Sequence, residues 1–233
     1  HDRRWMLVDA DNVFMTQREL PAMALIRPSF GEEGLRVESR LHPEPLFIPY
    51  RPVSGEFTEV RVWDDGCRAQ FVSGEADAWF SAALGRACRL VYMPDEILRV
   101  TDQRYAPPGS VTSFADAFPF LLIGQASLDE LNGRLSQAID ITRFRPNIVF
   151  TGGEPFLEDS LGEFSIGAVR FQGVKLCARC PIPTIDPGTA ERGKEPLRTL
   201  ATYRMQNNKV YFGQNLVHQG VGEIAVGDPI LVS

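Results

Sequence analysis

Histidine and lysine are scarce in this chain, and cysteine is limited to four residues. The histidines are His1, His42 and His218, at no spacing that suits metal ligation, so a histidine-based triad or zinc cage has few candidates. No Gly-x-Ser-x-Gly elbow, His-Glu-x-x-His pair or Walker-type glycine loop occurs, which removes the common hydrolase and nucleotide-phosphate signatures. No apolar run is long enough for a transmembrane helix. Four cysteines in 233 residues do not make a disulfide scaffold. Cys67 and Cys88 read as packed thiols, and a reducing, cytoplasmic setting is expected. The 24 basic residues are scattered and the net charge is −6, which argues against a nucleic-acid surface. Only Lys175, Lys194 and Lys209 are lysines. Arginine suits bidentate recognition of planar anions, although a GC-rich genome gives the same bias.

What is present is β-rich. Apolar content of 44% and charged content of 23% are those of a globular protein with room for a large core. The opening His1-Asp2-Arg3-Arg4-Trp5 lacks a starting methionine and a signal-peptide pattern, and reads as a strand entering mid-fold, so upstream residues are expected. Strands are expected at 5–9, 22–27, 35–38, 46–49, 58–63, 68–72 and 89–93. Thr58 to Trp63 alternates, with Val60 and Val62 on one face. The first helix is expected over Glu75–Ala87, where Ala76, Trp79, Phe80, Ala83, Leu84 and Ala87 share a face. The polar stretch from Pro94 to Ser113 marks a linker or functional loop, which divides the chain into domains at 1–95 and 96–233.

In the second part, Phe118–Ile123 reads as a strand. A helix follows from Ser127, opened by a capping box of Ser127 and Glu130 and buried through Leu128, Leu131, Leu135 and Ile139. Phe144–Thr151 reads as a strand on which Arg145 and Asn147 point to the same side, offering an anion fork and an amide. Further strands are expected at 163–166, 168–171, 173–176 and 210–213, a short helix near 196–205, and a closing strand ending at Val232. The densest chemistry lies in Leu176–Pro187, where Cys177, Arg179 and Cys180 sit beside three prolines. The prolines oppose a long helix there. From the residues alone, half a zinc site, a redox pair and two packed thiols all remain open.

An ordered series of motifs carries a family likeness: Phe144-Arg145-Pro146-Asn147-Ile148-Val149, Cys177-Ala178-Arg179-Cys180, Thr184-Ile185-Asp186-Pro187, Gly193 to Leu200, Phe212-Gly213-Gln214-Asn215 and Val226-Gly227-Asp228-Pro229. The chain resembles the MOSC-domain proteins of molybdenum-cofactor biology, within them the group of the mitochondrial amidoxime-reducing component and its bacterial relatives. The opening Asp2 to Val8 is similar to the MOSC N-terminal β-barrel. The resemblance implies an α+β, β-rich fold with a MOSC-type β-barrel, a smaller preceding β-barrel-like domain and a few helices. It implies a Mo-pyranopterin dithiolene cofactor held between the two parts, with Cys180 as metal ligand and catalytic centre. Thiolate is a soft donor suited to such a metal. Arg3, Arg145 and Asn147 match family cofactor contacts, Ala178 and Arg179 stand just before the ligand, and Asn215 stands where some relatives have tyrosine. Ala117 and Phe118 stand where relatives have a Thr-Ser contact, so any contact there must come from backbone. A Lys-Ser contact of the family lies upstream of His1, and the C-x4-C-x2-C run of an appended iron–sulfur domain is absent.

The activity implied is reduction of N-hydroxylated compounds (hydroxylamines, amidoximes and N-hydroxylated bases), with electrons from a separate flavin, iron–sulfur or heme protein, and with neither nucleic-acid binding nor a membrane span. A non-catalytic cofactor carrier and a persulfide carrier using Cys180 are the alternatives.

Overall fold

The computed structural model describes residues 1–232. Its contacts divide the chain into two units: His1–Arg99 with Ser113–Asp116 and Ile185–Arg192, and Val100–Thr112 with Ala117–Thr184 and the chain from Gly193.

In the first unit, β1 (Trp5–Val8), β2 (Ile26–Phe30), β3 (Gly34–Ser39), β4 (His42–Pro49), β5 (Phe57–Val62) and β6 (Asp65–Phe71) precede α1 (Gly74–Leu84) and β7 (Arg89–Tyr92). They form a four-stranded sheet in the order β1-β7-β6-β5 and a three-stranded sheet in the order β2-β3-β4. Period-2 alternation sorts the core. Leu7 of β1 packs with Leu35, Ile48 and the α1 residues Ala76, Trp79 and Phe80, whereas Met6 and Val8 pack with Val60, Val62 and Phe71. Val60 and Val62 are buried as the alternation requires. Helix α1 starts at Ser73, whose hydroxyl accepts from the Ala76 amide at 3.1 Å, and ends at Gly85 in the left-handed region. Ala87 therefore lies beyond the helix that periodicity extends through it. Cys67 and Cys88 are buried, and burial raises both thiol pKa values.

The expected strand at 22–27 is instead a 3-10 turn, Pro21–Leu25, followed by β2. Pro21 sits at the first helical position, where its fixed φ and missing N–H are tolerated.

Between the expected domains, β8 (Arg99–Val100) and β9 (Val111–Thr112) form a two-stranded sheet. The second unit continues with β10 (Phe120–Gly124), α2 (Gln125–Arg134), β11 (Ile148–Phe150), β12 (Glu163–Ile166), β13 (Val169–Ala178), α3 (Leu197–Ala201), β14 (Met205–Gln206), β15 (Lys209–Gln219) and β16 (Ile230–Val232). Its sheet runs β11-β10-β15-β13-β12-β16, with β14 paired to β15, and curls into a half-barrel. Leu121 and Ile123 of β10 face Leu131, Phe144, Leu200 and Phe212; Leu122 faces Leu161, Phe164 and Leu216. The fold is α+β and β-rich, with three α-helices among the described residues.

Three local expectations change. Residues 168–171 and 173–176 are one strand, β13, bent at irregularities rather than broken. Helix α2 begins at Gln125, so Ser127 lies inside it and makes no capping box. Its buried hydroxyl donates to Glu158 Oε2 at 2.8 Å and accepts from the Phe156 amide at 2.7 Å. Leu135 and Ile139 pack into the same cluster from beyond the helix end. Finally, Arg145 has φ +55° and β11 starts only at Ile148, so strand alternation does not set the directions of Arg145 and Asn147.

Glu158 is fully buried, and desolvation raises its carboxyl pKa against the hydrogen bonds that lower it. A raised folded-state pKa gives stability that is present at acid pH and is lost as pH climbs through that value. Urea unfolding from pH 4 upward is therefore expected to show a Glu158→Gln variant gaining stability relative to the wild type as pH approaches neutrality. A pH-independent difference would contradict this.

Candidate functional site

The exit of β13 carries the densest chemistry, and its course is set by β15. Pairing runs Gly173 with Leu216, then Lys175 with Asn215, so β13 holds one extra residue there. It then runs Leu176 with Gln214 and Ala178 with Tyr211, so β15 holds the extra residue. The two bulges are opposite in sense and bracket Lys175 and Leu176; Cys177 lies within the second. Bulges of this kind re-aim side chains at strand ends. Gly213 makes the second possible. It has φ +87°, and a Cβ there would lie 2.8 Å from Ile123 Cγ1 and 3.0 Å from the Leu122 carbonyl oxygen.

Cys177 is half-buried and packs with the Leu121–Phe144–Phe212 cluster. Ala178 is exposed; Arg179 and Cys180 are half-buried. The Arg179 amide donates to the Val210 carbonyl at 2.8 Å. Its side chain donates through Nη1 to Cys177 Sγ at 3.1 Å and through Nη2 to the Phe144 carbonyl at 3.0 Å. Its guanidinium carbon lies 5.2 Å from the centre of the Phe144 ring, which itself stacks on Phe212 at 4.3 Å. Arg179 Nε is buried and has no hydrogen-bond partner among the described residues. Past Cys180, the Pro181 carbonyl accepts from both the amide and the hydroxyl of Thr184, closing a single 3-10 turn over Ile182–Thr184.

The bond to Phe144 O ties this exit to the neighbouring candidates. Arg145 follows Phe144, is exposed, and stands in the left-handed region. The Asn147 amide donates to the Leu121 carbonyl at 2.9 Å, and its Oδ1 accepts from the Leu121 amide at 3.0 Å. Leu121 in turn pairs with Asn215, whose Nδ2 donates to the Lys175 carbonyl at 3.0 Å. Ala117 is exposed, whereas the Phe118 ring is buried with Ala106 and Val217. Only the backbone of Phe118 can face a ligand. The structure thus links Asn147, Arg179, Cys180 and Asn215 through β10, β13 and β15. Arg3 belongs to the first unit, at φ +50°, paired with Asp2 and with its carbonyl accepting from Phe114.

Two features escaped the sequence reading. Lys175 places its ammonium 3.9 Å from the centre of the Tyr105 ring, a cation–π contact across 70 positions that no local pattern announces. The Arg179–Cys177 bond was equally hidden, because Cys177 lies within a bulge and Arg179 beyond the strand end, where period-2 alternation does not hold.

Chemically, the site offers one soft thiol at a strand exit, fixed arginine charge and oriented amides. No group of three or more His, Cys, Asp or Glu side chains able to hold a metal occurs among the described residues. A metal placed here would have to bring its own further ligands. No helix among the described residues is long and apolar enough to cross a membrane.

A β-rich half-barrel with a cysteine just past the exit of a central strand, preceded in sequence by a smaller β unit, is the β-rich α+β architecture of the MOSC class. Family models agree: the MOSC domain matches residues 109–231 and the MOSC N-terminal beta barrel domain matches residues 1–87. Mitochondrial amidoxime-reducing component 1 of Mus musculus is 32% identical over 98% of this chain and 71% of its own length; the Homo sapiens protein is 33% identical over 98% and 72%. Molybdenum cofactor sulfurase of Arabidopsis thaliana is 31% identical over 96% of this chain and 31% of its own length. The chain belongs to the MOSC family, and its role is tied to the molybdenum cofactor.

Gly213→Ala is expected to cost roughly 2–4 kcal/mol, from backbone strain plus overpacking. Urea unfolding checks this; a loss within 0.5 kcal/mol would show that the bulge relaxes without the glycine.

Proposed function

We propose that this protein is a molybdenum-cofactor-dependent reductase of N-hydroxylated compounds, such as hydroxylamines, amidoximes and N-hydroxylated bases. It takes electrons from a separate flavin, iron–sulfur or heme protein. The reading is carried by one observation: the Cys180 thiol follows directly on an arginine whose guanidinium is already held by the Phe144 carbonyl, next to Arg145 in the chain. The similarity to amidoxime-reducing components over nearly the whole chain supports it.

The residues fit the group. Cys180 is a single soft ligand, as suits a metal that arrives with dithiolene sulfurs. The buried, unpartnered Nε of Arg179 is a donor suited to an acceptor-rich anion. When bound, the cofactor supplies the two-electron redox chemistry. The chain supplies placement. Cys180 Sγ holds the metal. Arg145 offers guanidinium charge to the anionic parts, and Asn147, pinned to Leu121, keeps its segment in register; Arg3 is proposed as a contact on the family match alone. At positions 117, 118 and 178, contacts come from backbone, because Ala117 and Ala178 carry only methyl groups and the Phe118 ring is packed away. The reduction consumes two electrons and two protons and releases the N–O oxygen as water.

Expression in a cofactor-competent host, followed by elemental analysis and benzamidoxime reduction with a suitable donor, tests this reading. Wild type is expected to carry molybdenum and turn over, and Cys180→Ala to lose both while remaining folded. Arg145→Ala is expected to retain cofactor about 10–100-fold less tightly, as for loss of a charge-assisted contact. Molybdenum without turnover would replace the reductase by a cofactor carrier. Cys180 persulfide without molybdenum would replace it by a sulfur carrier.

A further inference from the structure

The Arg179–Cys177 contact has no part in the scheme above, which uses Cys180 and leaves Cys177 as packing. Packing accounts for one side of Cys177, which lies against the cluster that contains Leu121, Phe144 and Phe212. It does not account for the hydrogen bond its sulfur accepts from Arg179 Nη1 at 3.1 Å. With Nη2 held by the Phe144 carbonyl at 3.0 Å, two guanidinium nitrogens are fixed by two different segments. The third, Nε, is buried without a partner among the described residues. A free arginine side chain carries rotamer entropy that is lost when a ligand fixes it. Fixing it before a ligand arrives removes that cost from binding.

We propose that Cys177 is a positioning residue: its sulfur locks the Arg179 guanidinium, so that Nε–H stands ready as a donor to an anionic group bound beside Cys180. The identity of that group as the molybdenum cofactor rests on the proposed function; the lock itself does not. A sulfur suits the position because it packs against aromatic rings on one side and still accepts an N–H on the other. The two thiols of the Cys-x-x-Cys then have separate tasks. Cys180 meets the ligand, and Cys177 holds the charge next to it.

The test separates the lock from the cofactor. In cofactor-free, nitrogen-15-labelled protein, the Arg179 side-chain Nε–Hε signal is assigned by its loss in Arg179→Lys. It is expected to be distinct and slow to exchange in wild type and Cys177→Ser, which keeps an acceptor. It is expected to collapse into fast exchange in Cys177→Val, which keeps volume without an acceptor, and in Cys177→Ala should the valine variant not fold. In protein from the cofactor-competent host, molybdenum retained after dialysis is expected to fall about 10-fold in Cys177→Val, in the range for a supporting partner near a metal. Cys177→Ser should stay within about threefold of wild type, and the Mo(V) resonance should shift in the valine variant alone. A slow-exchanging Arg179 signal and unchanged molybdenum retention in the acceptor-free variants would overturn the proposal. If wild type binds no molybdenum while the Arg179 signal still follows the acceptor at position 177, the lock stands and the cofactor reading fails.

Discussion

The pairing of β13 with β15 is the constraint from which the site follows. Two opposed bulges let one long strand serve two purposes. Its first half, Val169 to Gly173, holds the half-barrel core with Phe171 against Phe164 and Phe120. Its second half leads Cys177, Arg179 and Cys180 out of the sheet. Without the bulges, strict period-2 alternation along ten residues would fix the side on which every one of these groups emerges. Gly213 is what the partner strand contributes, since its backbone passes where any side chain would meet Ile123 and Leu122.

Arginine and backbone do much of the remaining work. Arg179, just past β13, ties the strand's exit to the last residue of the 3-10 turn at Ile141–Phe144. Asn147 extends the parallel pairing of β10 with β11 by one further rung made through a side-chain oxygen. Neither tie depends on a buried ion pair, whose desolvation offsets much of its attraction. Both rely instead on neutral acceptors, the Phe144 carbonyl and the Asn147 side-chain oxygen.

The legibility of the sequence was uneven for physical reasons. The alternation of Thr58–Trp63, the α1 stripe and most strands were readable because one buried face imposes a period. Helix α2 was readable in its stripe but not in its start. Ser127 and Glu130 satisfy the local capping pattern, yet the Ser127 hydroxyl is used by Glu158 and Phe156, a tertiary demand that no local pattern contains. Pro21–Leu25 was misread because Ala22 to Leu25 is apolar, while the decisive residue was the proline before it. Arg145 was misplaced on a strand for want of any signal of its left-handed backbone. The candidate site residues came from motif order, and their grouping in space came from sheet register, which single-sequence reading does not supply.

The cancelling bulges have a consequence for how the strand leaves the sheet. One strand gains a residue and its partner gains one shortly afterwards, so the register on either side is restored. The core half and the site end of β13 thereby keep a single register with β15 across both irregularities. Phe171 lies on the core side of the first bulge, whereas Cys177 lies within the second and Cys180 beyond it. An added residue in one strand is thus offset by one in its partner, and the thiol-bearing end leaves the sheet from a ladder whose register is the one the core end sets.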